Sequence, residues 1–299
     1  MNTKKIILIL ALLSTFNCLL PTVPFAQRSL KNKITEASKI EKTEIKSIKS
    51  IIKPCRKYEG LFTLYQDTTN GILYMLINNE ELNKEYIYFS HTIEGILDAG
   101  HFRGAYRDVK IFRVKKYFNR IEFISENTGY YFDEKNPLSR AADANINRAV
   151  LASQKIVGQN KNKTEFMIKA DNIFLTENMH QVKPSPNPKD KQAATRFKLG
   201  KLSKEKTKYF RIKNYPMNTD IIVEYVYENL YPVNYGRKAV TDARFVSIKI
   251  QHSLIEVPKN NFIPRFDDPR IGYFTDQVDN MTSVSATPYR DLIHRWHLE

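Results

Sequence analysis

Residues 220–228 read DIIVEYVYE and residues 243–255 read ARFVSIKIQHSLI. The first of these changes character at every second position. Ile221, Val223, Tyr225 and Tyr227 form a wholly apolar and aromatic set, while Ile222, Glu224, Val226 and Glu228 form a mixed one. A period of two belongs to a β-strand, whose successive side chains point to opposite faces. One apolar face and one mixed face is the pattern of an antiparallel sheet with one side on a core.

Working outward, the same rhythm recurs. Residues 208–213 give a further strand just upstream. Residues 61–65 and 72–77 flank a turn at 67–71 in which Asn70-Gly71 supplies positive φ, the signature of a β-hairpin. Residues 86–89 are another strand, and 109–114 with 121–124 a second hairpin turned at 117–120; 165–168 and 173–175 also read as β. The chain carries 17 Tyr and 17 Phe, residues that suit a half-buried pleated surface. Two stretches break the rhythm. Residues 138–153, LSRAADANINRAVLAS, place Leu138, Ala142, Ile146 and Val150 four apart, which predicts a helix. Ile40, Ile45, Ile48, Ile51 and Ile52 predict a short amphipathic helix that Pro54 should end. The fold class expected is mainly β (α+β): antiparallel sheets or barrel-like β domains with minor helix and an extended C-terminal connector.

Residues 1–26 have the pattern of a signal peptide. Lys4 and Lys5 precede an apolar run at 6–13 that is too short to span a bilayer, and Ala26 is a small residue at the cut. A lipoprotein reading through Cys18 is disfavoured by the bulky residues before it. The chain is therefore expected to be exported, whether periplasmic, outer-membrane-associated or extracellular, with no transmembrane span after signal removal. A basic leader follows at 27–57, then a first β-rich part at 58–182, a Pro-rich loop at 183–194 (KPSPNPKDKQAA), a second β-rich part at 195–263 and a connector at 264–299. Whether the two β-rich parts share one core is left open by the sequence.

The formal charge is +15, reduced by two on loss of Lys4 and Lys5. A basic surplus suits polyanions in general. Export and the absence of any nucleic-acid-binding motif argue against that class. Of two cysteines only Cys55 survives cleavage, so the mature chain has no intrachain disulfide and depends on its core.

Four groups of residues invite a chemical reading. His91, Glu94, Asp98 and His101 are ligand types for zinc or iron, but Gly95, Gly100 and Gly104 make a polar connecting loop the simpler account. His294 and His297, with Glu299 beyond, give two ligands and not a closed site. Cys55 lies among Lys53, Arg56 and Lys57, cations that favour a thiolate, yet one cysteine is not a motif. No G-x-S-x-G elbow, phosphate-binding G-x-x-x-x-G-K-[ST] loop or G-x-G-x-x-G is present. No catalytic, cofactor-binding or metal-binding residue is assigned.

Pro264, Pro269 and Pro288 prevent the connector from being one helix or a central strand. Its segments DDPRIGYFTD (267–276) and HRWHLE (294–299) resemble the junction in a family of large secreted bacterial zinc-dependent metalloproteases. There a strand-rich N-terminal region ends in D-P-R-x-G-Y-F, followed by R-W-x-L-E and the catalytic domain. The matching residues are Asp268, Pro269, Arg270, Gly272, Tyr273 and Phe274, then Arg295, Trp296, Leu298 and Glu299. Weaker likeness runs through residues 60–65, 140–153 and 252–254.

The family's catalytic H-E-x-x-H does not occur around any of the six histidines here. The resemblance therefore implies a non-catalytic accessory or pro-region that folds against or gates a catalytic domain, in cis or on a neighbouring chain. Zinc is expected only in that domain and no cofactor in this chain. The alternative is a stand-alone exported β-rich module that binds a peptide, a glycan or an envelope component.

Overall fold

The computed structural model describes residues 45–295 apart from 143, 145, 186, 188, 190, 193, 259–261, 264, 269, 271 and 287. The signal peptide expected at 1–26, most of the leader, Pro264, Pro269 and residues 296–299 lie outside the described residues.

The chain is mainly β, as its alternation predicts, and its antiparallel sheet nearly closes into a barrel. The first half lays down most of the wall. Strands β2 (Cys55–Tyr58), β3 (Leu64–Asp67) and β4 (Leu73–Asn78) form a meander preceded by a two-residue strand, β1 (Lys46–Ser47). Next come β5 (Glu85–Glu94), β6 (Tyr106–Tyr117) and β7 (Arg120–Ser125). After a short strand β8 (Tyr130–Tyr131), β9 (Ala149–Gln159) and β10 (Glu165–Lys169) complete this half. Its spatial order is β5-β6-β7-β9-β10-β4-β3-β2, with β1 alongside β9. The expected turn residues sit where predicted: Gly71 has φ +76°, and Phe118 turns the β6–β7 hairpin at φ +48°.

The second half closes the wall. Strands β11 (Lys201–Leu202), β12 (Lys208–Tyr215), β13 (Asn218–Glu228) and β14 (Phe245–Glu256) follow the Pro-rich loop. β14 pairs along the free edge of β5, and β13 pairs with β14 and β12. A seam made largely of side-chain contacts joins β12 to the β2–β3 connection. Asn214 Nδ2 donates to the carbonyls of Tyr58 (3.0 Å) and Phe62 (2.7 Å), and Leu61 N donates to Tyr215 O (2.7 Å). Thr219 Oγ1 accepts from Phe62 N and donates to Asn214 Oδ1. Gly60 makes this approach possible, because a Cβ there would stand 2.2 Å from Asn214 Oδ1.

Residues on both sides of the Pro-rich loop thus share one sheet and one core, the point the sequence left open. Leu64, Met75, Tyr88 and Phe123 pack in the same buried cluster as Ile221, Val223, Ile248 and Leu254. An aromatic row, Phe62–Tyr86–Phe112–Phe123, crosses the interior with ring centres 4.9, 5.4 and 6.0 Å apart. Such pairs add about 0.5–1.5 kcal/mol each beyond simple burial. A second, smaller cluster on the outer face is covered by helix α1 (Ile48–Ile52), shorter than the amphipathic helix predicted, since Ile45 lies outside it and Lys46–Ser47 form β1; Ile40 lies outside the described residues. Gly158 lets α1 lie close, since a Cβ there would meet Ile51 at 2.6 Å.

Two local expectations are corrected. Residues 138–153 are not one helix: a short 3-10 turn, Pro137–Ala141, capped by Asn136, gives way to β9. From Ala152 onward the inward face recurs at Ile156, two periods of a strand along, and a bulge opposite Phe123 and Ile124 leaves Val150 facing out. Residues 173–175 are not a strand, for Asp171–Phe174 is helix α2. Ile173 and Phe174 are adjacent and both fully buried, which a helical turn permits and a one-sided strand does not.

The C-terminal connector contributes two strands, β15 (Thr275–Asn280) and β16 (Tyr289–Ile293), to a small sheet with β8. No helix among the described residues is long and apolar enough to cross a membrane.

Candidate functional site

The densest polar chemistry lies at one end of the barrel, where residues 171–183 cross it as a strap. Ile173, Phe174, Met179 and Val182 anchor the strap in the core. Its polar groups are held as firmly. Asp171 Oδ1 accepts from Leu73 N and from the Tyr209 hydroxyl, both at 3.0 Å. Glu177 Oε1 accepts from the Tyr227 hydroxyl (2.8 Å) and from the strap's own Val182 N and Lys183 N (3.0 and 2.8 Å).

His252, wholly buried on the inner face of β14, is the centre of this end. Its Nδ1 lies 2.8 Å from the Tyr88 hydroxyl and its Nε2 2.8 Å from the Tyr225 hydroxyl. The directions follow from the partners. Tyr225 donates its proton to Phe174 O at 2.6 Å, so its oxygen accepts from His252 Nε2–H. Nδ1 is then the acceptor, and Tyr88 donates to it. The result is a chain with one direction, Tyr88 to His252 to Tyr225 to the strap backbone. Burial holds the His252 imidazole down to about 3 and raises the Tyr225 hydroxyl well above its ordinary value.

Two further imidazoles face the strap. His101 Nε2–H donates to Val182 O (3.1 Å), leaving Nδ1 toward Thr92 Oγ1 at 3.5 Å. Arg107 donates to the same Thr92 oxygen and to Gly100 O. Burial, then the Arg107 guanidinium, pushes His101 down to about 4. His180, on the strap, places Nδ1 3.5 Å from Asp108 Oδ2, and Asp108 also pairs with Lys110 at 2.7 Å. His180 Nε2 is buried without a hydrogen-bond partner. Burial lowers this imidazole, against the pull of Asp108.

The sequence candidates do not converge. His91 stacks on Phe89 on the outer face of β5, Glu94 pairs with Lys249 (2.6 Å), and Asp98 pairs with Arg237 (3.1 Å). His101 alone of that group turns inward. The connecting loop is also shorter than expected, since β5 runs on to Glu94. His294 pairs with Asp276 at 2.9 Å; His297 and Glu299 lie outside the described residues. Cys55 is a packed thiol: it contacts Ile51 O at 3.3 Å and is pushed up by burial and then by Asp67, and not down by the neighbouring cations. Among the described residues no three His, Cys, Asp or Glu side chains are grouped to hold a metal.

Sequence reasoning passed over His252, Tyr88 and Tyr225. The signal was present, since the period of two places His252 in line with Ile248, Ile250 and Leu254 on the apolar face. A histidine there needs two partners, and tyrosines on neighbouring strands supply them.

At the other end of the barrel lies a cleft of about 520 Å³ lined by Glu80, Glu81, Glu165, Glu256, Lys84 and Tyr86. Glu81 caps its own turn, accepting from Asn78 N (2.8 Å) and Asn78 Nδ2 (3.0 Å), and burial raises its carboxyl.

Comparison with known families matches residues 105–299 to DUF5117, a domain of unknown function. The chain belongs to this family. The DUF5117 match takes in the strap, His180, Tyr225, His252 and the small C-terminal sheet, whereas Cys55, His91, Glu94, Asp98 and His101 precede it. No curated protein and no solved structure matches the chain.

Proposed function

We propose that this chain is a non-catalytic, exported β-barrel scaffold that presents its C-terminal sheet to the catalytic domain of a zinc-dependent metalloprotease, in cis or on a neighbouring chain. The observation that carries this reading is the exposure of the junction aromatics. Phe274 is 87% exposed and Tyr273 53%, although the backbone around them is ordered by hydrogen bonds. Asp268 accepts from Arg270 N and pairs with its guanidinium (2.5 Å), and Phe274 O accepts from His294 N (2.9 Å). A tied backbone that holds large rings in water is what a surface awaiting a neighbour requires. His252, by contrast, has both nitrogens occupied by internal partners, which suits a scaffold. In this reading zinc belongs to the partner domain.

The test is to measure binding between the mature chain and an H-E-x-x-H domain encoded after or beside it. The Tyr273→Ala/Phe274→Ala double variant should weaken binding at least about tenfold, the loss expected for a central aromatic anchor. The absence of such a coding sequence, or binding unaffected by the double variant, overturns the reading.

A second reading, a stand-alone module for a peptide or glycan, rests on the outer-face cluster in which Phe89 meets Tyr106 edge-on at 5.6 Å and His91 face-on at 5.5 Å. It is favoured if Tyr106→Ala abolishes ligand capture while the junction variant does not.

A further inference from the structure

We propose that residues 171–183 form an acid-released strap, opened when His180 takes up a proton, while the barrel wall behind it stays folded. Three buried imidazoles meet this one segment from separate elements. His180 is part of it, His101 in the β5–β6 connection holds its Val182 carbonyl, and His252 on β14 holds its Phe174 carbonyl through Tyr225. All three are neutral in the closed arrangement. Protonating any of them puts a cation where the surroundings have little room for one.

His180 is the first to respond, for a geometric reason. At His252 both nitrogens are engaged, and protonating Nδ1 requires Tyr88 to reverse its donation. At His101 the Arg107 guanidinium stands close by. At His180 the carboxylate of Asp108 can only accept, so Nδ1 carries the proton and the buried Nε2 has a free lone pair. Asp108 on β6 favours the charged ring; Lys110 and Arg107 on β6, His101 in the β5–β6 connection and His252 on β14 oppose it. Once Nε2 is protonated, it is a buried donor with no acceptor, attached to a charge. Moving the ring into water relieves both costs, and the strap moves with it. The direction is fixed by linkage: an imidazole lowered by burial binds its proton more weakly in the closed state, so closure weakens as pH falls below the ordinary histidine value of about 6.5. The strap is anchored to the wall by few backbone hydrogen bonds, whereas β13 and β14 are paired along their whole length. Local opening is therefore the cheaper response.

Amide hydrogen exchange on the full mature chain tests this, read by mass spectrometry from pH 7 to pH 4.5 and corrected for the intrinsic rate. The reporters are Val182 and Lys183, whose amides are held by Glu177, and Leu175 in the α2 turn. Their opening should rise between pH 6.5 and pH 5, by up to about fifteenfold, the ceiling for one titrating imidazole, while β13 and β14 remain protected. His180→Gln, which keeps polarity and loses titration, should move the release to lower pH. The proposal is overturned if strap and β13 lose protection together, if strap exchange does not change over the range, or if His180→Gln releases at the same pH as the parent chain.

Discussion

The two ends of the barrel solve the same problem in opposite ways. An open barrel end leaves interior side chains and strand-terminal backbone groups in need of cover. At the strap end the cover is a separate segment, held from behind by buried tyrosines and imidazoles that pair across long sequence distances, as with Tyr88 and His252. At the cleft end the cover is local. Glu81 satisfies the turn it belongs to, Asn214 ties the seam, and the surrounding carboxylates face water. The difference teaches that burial, which favours the neutral form at both ends, imposes opposite pH responses on a base and on an acid. Neutral imidazoles at the strap end resist acid poorly. Glu81, with its carboxyl raised by burial, adds most to stability in acid and loses that share as pH rises through its folded-state value.

The comparison breaks first at Phe174. Phe174→Ala empties a fully buried site at the strap end and should cost about 3–5 kcal/mol of unfolding free energy by urea titration. A loss below about 1 kcal/mol would mean that the strap end contributes little to the core. The next test lies at the seam near the cleft end. Gly60→Ala drives a methyl group into Asn214 and the Tyr215 amide, an overpacking cost of about 1–3 kcal/mol measured in the same way. An unchanged midpoint would show that the seam does not close the barrel. The smallest effect is expected from Glu81→Gln, about 0.5–1.5 kcal/mol for the weakened cap. Its sharper readout is the pH profile. Between pH 4 and pH 7 the parent's stability share from Glu81 falls with rising pH, and the variant should show a flatter curve.

Most of the wall was legible in the sequence because one side of each strand is dry. DIIVEYVYE shows its inner face directly, and Asn70-Gly71 marks its turn by the φ it needs. What escaped was whatever depends on partners far along the chain. The seam joins Asn214 to Tyr58 and Phe62, polar and backbone groups with no periodicity to announce them. Helix α2 hides in a short apolar run that local preference reads as strand, because only the barrel interior explains why Ile173 and Phe174 both turn inward. At the candidate site the visible cluster of His91, Glu94 and Asp98 proved to be surface ion pairs and a stacked ring. The histidine with the richest surroundings, His252, sat unnoticed in a regular strand.

The order of strands has a consequence for synthesis. The wall from β2 to β10 emerges with both margins bare, along β5 at one side and β2 at the other, and both wait for β12–β14, which follow the Pro-rich loop. A nascent chain halted before residue 218 would present the long hydrogen-bonding margin of β5 to any neighbour, the situation that promotes strand-to-strand aggregation. The strap precedes the closing strands in the chain, so it can settle before the cylinder is sealed and need not be threaded in afterwards.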